Sequence, residues 1–491
     1  MFCYYLLIRK KAYLITYDKS HNLSYRAHVS LRRNYIGMSY SLIDKYNVAG
    51  PRYTSYPTVP YWDIETFSFA NWKQSLIKSY EESNTDEGIS LYLHLPFCES
   101  LCTFCGCHKR ITKRHEVELP YINALLKEWK LYRDVLHERP KIKELHLGGG
   151  TPTFFSPENL KLLISELLRT SDVDDNYEFS FEGHPNNTTR EHLQTLYDLG
   201  FRRVSFGVQD YNPKIQAAIN RVQTFENVQK VTQLAREIGY ISVGHDIIFG
   251  LPFQDESDVL QTITKTELIK PDRLAFYSYA HVPWIKGNGQ RGFKDEDLPS
   301  AESKRLQYEM GKYYLQQAGF TEIGMDHFAL KSDSLYKAAN NQKMHRNFMG
   351  YTASKTQLMI GLGVSAISDS WYGFAQNVKS IEDYYQLLEE DIIPVYRGHI
   401  LNQEDLIIRK HILNLMCHFE TSWLNGDMTF TELPETLVKL KEFEQDGLLT
   451  FERKKITVTE KGKPFIRNIC MAFDLRLQRK KPNTQLFSMT I

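Results

Sequence analysis

From residue 89 onward, short runs of apolar, β-branched and aromatic residues recur at regular intervals. They are "ISLYLHLP" (89–96), "ELHLGG" (144–149), "YEFSFEG" (177–183), "RVSFGV" (203–208), "SVGHDIIFG" (242–250) and "RLAFYSY" (273–279). Between them the apolar period becomes helical. In "ELPYINALLKEWKLYRDVL" the residues Ile122, Leu125, Leu126 and Trp129 fall on one helix face. "SPENLKLLISELLRT" opens on Ser156, a good N-cap, and "TFENVQKVTQLAREIGY" closes near Gly239, a good C-cap. Strands alternating with helices predict parallel βαβ crossovers. Six such units fit an α/β fold of incomplete (β/α)6 barrel type, with a doubly wound open sheet as the alternative.

The pattern also divides the chain. Residues 281–360 read as loop-rich, and near 375 the strand–helix rhythm stops. Residues 375–491 then read as a mainly helical domain. Two helical stretches, "EDLIIRKHILNLMCHF" and "PETLVKLKEFEQDG", precede a hairpin, "LLTFERKKITVT", and the closing "EKGKPFIRNICMAFD". That order is winged-helix-like, and with Glu among its Lys residues it is read as structural. A barrel domain is expected over 89–374 and an N-terminal, substrate-covering segment over 38–88. Residues 1–37 are basic, almost without Asp or Glu, and lack sustained periodicity. They are expected to be a disordered or non-native extension, with Met38 as the start of the folded protein.

Composition changes little. The net charge of +1 creates no global field toward nucleic acid or membrane. No apolar run reaches the roughly 18 residues that span a bilayer. The opening "MFCYYLLIRKK" has its apolar run before its basic residues, the reverse of a secretory signal. Together these indicate a cytoplasmic protein.

Cysteine usage is more telling. Of seven cysteines, four stand in "PFCESLCTFCGC" directly after the first run, at the strand end where α/β enzymes place chemistry. The ligand pattern is Cys98-x3-Cys102-x2-Cys105. Three thiolates hold three irons of a [4Fe–4S] cube and leave the fourth iron open for a substrate. A structural zinc, which wants two spaced ligand pairs, and a disulfide are the alternatives.

Cys98-x3-Cys102-x2-Cys105 after a first barrel strand resembles the signature of the radical S-adenosylmethionine (SAM) superfamily. Within it, the chain from Met38 onward resembles the family of oxygen-independent coproporphyrinogen III oxidases of heme biosynthesis. The resemblance rests on "GPRYTSYPT" (50–58), "LYLHLPFCESLCTFCGC" (91–107), "LHLGGGTPT" (145–153), "FGVQD" (206–210), "GMDHFA" (324–329), "HRNFMGYT" (345–352), "GLGVSAIS" (361–368) and "RNICMAFD" (467–474).

The resemblance implies conversion of two propionates of coproporphyrinogen III into vinyls, giving protoporphyrinogen IX, through a 5′-deoxyadenosyl radical made from SAM at the cluster. It implies cluster ligation by Cys98, Cys102 and Cys105, with Cys107 a nearby non-ligand. Tyr92, Phe104, Gly149 and Glu182 would hold a first SAM. Gly150, Thr151, Gln209, Arg221, Asp246, Ala280 and Ile367 would hold a second. His94 is placed on the first strand, pointing inward toward substrate or packed in the core. Arg52 is a candidate for a propionate, with Arg346 and His327 behind it. The expected partners are the porphyrinogen and a reduced flavodoxin- or ferredoxin-type electron donor, with no nucleic acid and no membrane span, and the chain is expected to act as a monomer. "FEGHPNNTT" departs from the family, which often carries an acidic residue where His184 stands. Rival readings are a radical SAM heme chaperone, a heme-opening methyltransferase and, outside enzymes, an iron–sulfur regulatory protein.

Overall fold

The computed structural model describes residues 40–490 apart from 286–288, 291 and 425. The extension expected over 1–37 lies outside the described residues. The six runs are six strands: β1 (Ile89–Leu95), β2 (Lys141–Gly149), β3 (Asp172–Gly183), β4 (Arg203–Gln209), β5 (Ser242–Phe249) and β6 (Arg273–Ser278). Each pairs in parallel with the next. Their order in the sheet never reverses. A doubly wound sheet reverses at a switch point. An unbroken order with right-handed helical crossovers curls one way and builds an incomplete barrel.

Strand period 2 sorts the two faces of this wall. Leu91, Leu93 and Leu95 are buried in one core with Leu145, Leu147 and Phe181 and with Ile122, Leu125 and Trp129 of helix Glu118–Leu136. Each such side chain contributes roughly 1.5–3 kcal/mol by leaving water. The alternate residues form a polar inner layer, in which Tyr92 pairs with His146 and His146 with Ser180. The helix caps also follow the sequence. The Ser156 side chain accepts from Asn159 N–H, Thr224 accepts from Asn227 N–H, and Gly239 closes its helix at φ 119°.

The sheet extends beyond the barrel strands on both sides. His327–Ala329 adds antiparallel to β6, and Met359–Leu362 adds parallel to β1. Ile367–Asp369, Gly373–Asn377 and Val395–Ile400 continue antiparallel on that side, and Thr321–Ile323 pairs antiparallel with His327–Ala329 at the other edge, for twelve strands in all. The boundary expected at 374/375 therefore falls inside a strand, and the sheet runs on to Ile400. Antiparallel strands need no helix between them, so the rhythm ends before the sheet does.

The loop-rich reading of 281–360 also needs correction, because it contains the 17-residue helix Ala301–Gln317. Its buried positions include Arg305, Gln307 and Gly311, so it shows no apolar stripe in sequence. The segment 38–88 divides between two bodies. Leu42, Tyr46, Tyr53 and Tyr56 join the core of the C-terminal domain, while helix Phe69–Ser83 lies on Gly373–Asn377 and Val395–Ile400.

The C-terminal domain has helices Gln403–His418, Leu433–Gln445 and Ile466–Phe473. Its three-stranded antiparallel sheet contains the expected hairpin, Leu449–Glu452 with Lys455–Val458. Among the described residues no helix is long and apolar enough to cross a membrane.

Candidate active site

The cysteine loop leaves β1 at Pro96 and is closed at its root. Phe97–Cys98 pairs with Arg110–Ile111, and Arg110 N–H donates to the Pro96 carbonyl at 2.8 Å. Its far side is pinned to the turn after helix Pro213–Ala218. Thr103 N–H donates to Ile219 O at 3.0 Å, and Asn220 Nδ2 donates to Leu101 O at 2.7 Å. Phe104 packs against Ile215, Ile219, Ile248, Leu251 and Tyr279, which anchors the loop to the barrel.

Opposite stands the glycine run that ends β2. Gly150 N–H donates to Leu95 O and Thr151 N–H to Phe97 O. A Cβ on Gly149, whose φ is 108°, would lie 2.7 Å from the His94 ring, and one on Gly150 would lie 2.6 Å from the Pro96 backbone. Only glycine permits this close approach.

Between these walls lies a cavity of about 810 Å³. It is lined by Cys98, Cys102, Cys105 and Cys107 with Phe104, by Gly149, Gly150 and Thr151, and by Glu182, Gln209, Arg221 and Asp246. Twelve of the residues expected from sequence thus face one space. All come from the C-terminal ends of barrel strands or from the loops that follow them.

The thiols are not equivalent. Thr151 Oγ1 donates to Cys98 Sγ at 3.4 Å, and Arg221 Nη1 lies 3.8 Å from Cys102 Sγ. Burial pushes the Cys98 thiol up to about 11. The neighbouring Cys107 thiol, then Lys109 and Arg221, hold the Cys105 thiol below its ordinary value. Among the described residues no three His, Cys, Asp or Glu side chains gather as a single-ion cage. Cys98, Cys102 and Cys105, facing one cavity from a single loop, offer the three thiolates that a [4Fe–4S] cluster takes.

Oppositely charged groups surround the same space. Burial disfavours the charge on Glu182, but His146, 3.6 Å away, and Gly149 N–H outweigh it and hold the carboxyl below its ordinary range. Burial and then Glu182 push Asp246 up to about 7, although Ser205 donates to it at 2.9 Å. Arg221 donates to Gly207 O at 2.7 Å, while its Nε is buried without a partner. An orphaned donor and two carboxyls beside three thiols fit a zwitterionic ligand next to an iron–sulfur cluster. Gln209 sits at the β4 bulge with φ 67°, a strained conformation typical of residues held for function.

The other expected residues stand apart from this cavity. Tyr92 and His94 lie behind it. His94 Nε2 is 2.9 Å from the His108 carbonyl, which only accepts, so Nε2 carries the proton and Nδ1 accepts from Tyr92 O–H at 3.0 Å. Ala280 is tied to the loop by Gln290, whose amide reaches both the Ala280 and Phe104 carbonyls. Ile367 lies in the sheet flank with Trp62 and Phe374.

Arg52 lies in a second cavity, donating to Ser278 O at 2.8 Å and 3.5 Å from Asp326, near Lys304 and Arg467. Arg346 clamps the Arg52 and Tyr53 carbonyls. Burial holds His327 near 4, so it is neutral and offers no cation to a carboxylate. His146 and Ser205 were missed from sequence, although their inward register on β2 and β4 marks them. His184 lines the cavity as a neutral ring, held near 3 by burial and by Arg221.

A partial parallel barrel with a three-thiol loop after its first strand defines a radical SAM enzyme, and the Radical SAM superfamily model matches residues 92–265. Curated oxygen-independent coproporphyrinogen III oxidases resemble the chain over most of its length. The protein from Helicobacter pylori strain 26695 is 37% identical over 90% of this chain and 97% of its own, and that from Escherichia coli K12 is 38% identical over 92% and 98%. The solved coproporphyrinogen III oxidase HemN of Escherichia coli superposes with a TM-score of 0.80 at 36% identity, covering 86% of this chain and 97% of that one. The chain belongs to the oxygen-independent coproporphyrinogen III oxidase family.

Proposed function

We propose that the protein carries out the anaerobic oxidative decarboxylation of coproporphyrinogen III to protoporphyrinogen IX in heme biosynthesis, in a cavity organised by Cys98, Cys102 and Cys105. The observation that carries this reading is the convergence of the three thiols, Glu182, Arg221 and Asp246 on one space, in a chain whose relatives bear that activity along their whole length. The chaperone, methyltransferase and regulator readings give way to it.

A [4Fe–4S] cluster held by the three cysteines would supply, together with SAM, the radical chemistry that an unactivated C–H bond requires. The chain supplies position and shielding. Glu182 would accept from the ammonium of the first SAM, beside the Gly149–Gly150 backbone that packs closely on His94 and Pro96. Arg221 and Asp246 serve a second SAM, with Gln209 and the Ala280 backbone beside them. The orphaned Arg221 Nε supports this assignment. At each propionate, the β-carbon gives up a hydrogen atom, the carboxylate leaves as CO2, and one electron passes to an external acceptor.

Arg52 meets a propionate of the substrate. Its position at the end of β6, beside the cations Lys304 and Arg467, supports this role. A reduced flavodoxin- or ferredoxin-type donor fits the exposed Arg110, Lys113 and Arg114 just past the cysteine loop. A cytoplasmic monomer belongs to the same reading.

Anaerobic incubation with coproporphyrinogen III, SAM and a reductant tests the assignment by product mass. The expected change is the loss of two CO2, each with one β-hydrogen and the carboxyl proton. An unchanged tetrapyrrole alongside SAM cleavage would refute it.

A further inference from the structure

Away from the thiols, a cavity of about 570 Å³ opens where the hairpin of His345–Asn347 and Gly350–Thr352 meets helix Gln403–His418. It shares no lining residue with the thiol cavity. Its size is ordinary for a site that takes an organic ligand, which spans about 300–1,000 Å³. Three lysines line it, Lys343, Lys355 and Lys410, and no Asp or Glu does. Among the described residues none of the three forms an ion pair.

Two histidines complete the polar wall. Burial, then Arg409, Lys355 and His418, hold His345 near 3, so its ring is neutral. His418 Nδ1 is buried without a hydrogen-bond partner. Gln342 and Asn414 add two amides, and Trp371, Leu413 and Met428 give the wall an apolar, soft part. Of the carboxylates that act on this wall, Asp369 is committed to Arg409 at 2.6 Å and Glu420, beside His418, to Lys455 at 2.7 Å.

Uncompensated like charges in a concave site repel one another, and a bound counter-charge relieves that repulsion. Three lysines around 570 Å³ offer more positive charge than a single small monovalent ion answers. The indole and thioether wall suits a flat apolar body.

We propose that this cavity binds an organic polyanion with a flat apolar body at a site separate from the catalytic cavity. The site touches the hairpin through His345, while the next residue, Arg346, holds the backbone of Arg52 and Tyr53 from the opposite face. An occupant therefore bears on the strand that positions Arg52. Two sources share this chemistry, a carboxylated tetrapyrrole and a nucleoside polyphosphate. The inference does not rest on the reading of the thiol cavity.

Equilibrium dialysis of anaerobically purified holoenzyme with coproporphyrin III, and separately with ATP, tests it. One of the two is expected to bind at a lysine-dependent site. The triple variant Lys343→Gln/Lys355→Gln/Lys410→Gln should weaken that binding at least about tenfold, and each single Lys→Gln change should give part of the loss even if the triple variant folds poorly. Conversion of coproporphyrinogen III by the single variants should stay within about twofold of wild type, because the three lysines stand outside the thiol cavity. Lysine-dependent binding in a protein that fails to convert coproporphyrinogen would sustain this site and sink the functional reading instead. The inference is overturned if neither compound binds below about 1 mM, or if binding is untouched by all the lysine changes.

Discussion

His94 on the first barrel strand reaches Nε2 to within 2.9 Å of the His108 carbonyl, bridging the barrel wall to the far end of the cysteine loop. With Nδ1 accepting from Tyr92, the ring uses both nitrogens to hold the loop root. His94→Ala should loosen that root and lower the iron and sulfide retained after anaerobic gel filtration. Full retention would show that the loop is held without this bridge.

The cysteines should separate into ligands and a bystander. Cys98→Ser, Cys102→Ser and Cys105→Ser, purified without oxygen, should each lose most iron and the visible cluster absorbance. Cys107→Ser should keep both, since Cys107 lies exposed at the cavity edge. Equal loss in all four variants would contradict the assignment.

Asp246 should give SAM binding a pH dependence. Its carboxyl, pushed up to about 7 by burial and Glu182, is neutral below that pH in the free protein. A ligand that needs the carboxylate should bind more tightly as pH rises from 6 and level off above 7, by up to about tenfold per pH unit below the pKa. Asp246→Asn should flatten the curve. It should also cut the SAM bound per protein from near two toward one, with conversion roughly tenfold or more lower if a charge-assisted hydrogen bond of about 1.5–3 kcal/mol is lost. A wild type that binds a single SAM at every pH would end this reading.

Arg52→Ala should raise KM for coproporphyrinogen III while leaving the cluster and SAM cleavage in place, because Arg52 lies outside the thiol cavity. Loss of one charge-assisted contact predicts about a tenfold change or more. An unaltered KM would remove Arg52 from the substrate's path.

Acid should destabilise the fold before it protonates most carboxylates. His94, His245 and His411 are buried, and burial lowers them to about 4, 3 and 4. Unfolded histidine takes a proton near 6.5, so between that value and about 4 the unfolded state binds more protons and stability falls as pH drops. Each contributes about 1.4 kcal/mol per pH unit once well below 6.5. Melting temperatures should be flat for these groups above pH 7 and fall steadily from 6.5 to 5. A constant value across that range would show the histidines are not held neutral.

By itself the sequence determined the six parallel strands, the helix caps at Ser156 and Gly239 and the hairpin near the C-terminus. Each depends on residues close together in the chain, where period and capping act directly. The thiol spacing likewise announced an iron–sulfur site, because three ligands on one loop are a local feature. Tertiary structure alone decided what distant segments do to one another. It carried the sheet through Gly373–Asn377 to Val395–Ile400, where antiparallel pairing leaves no helical interval to read. It buried the polar helix Ala301–Gln317, whose partners rather than its periodicity make it helical. It also set His146 and Ser205 beside Glu182 and Asp246, made His327 neutral, and gathered Lys343, Lys355 and Lys410 around one cavity. Burial and charge at such places are sums over neighbours far apart in the chain, and no local pattern encodes that sum.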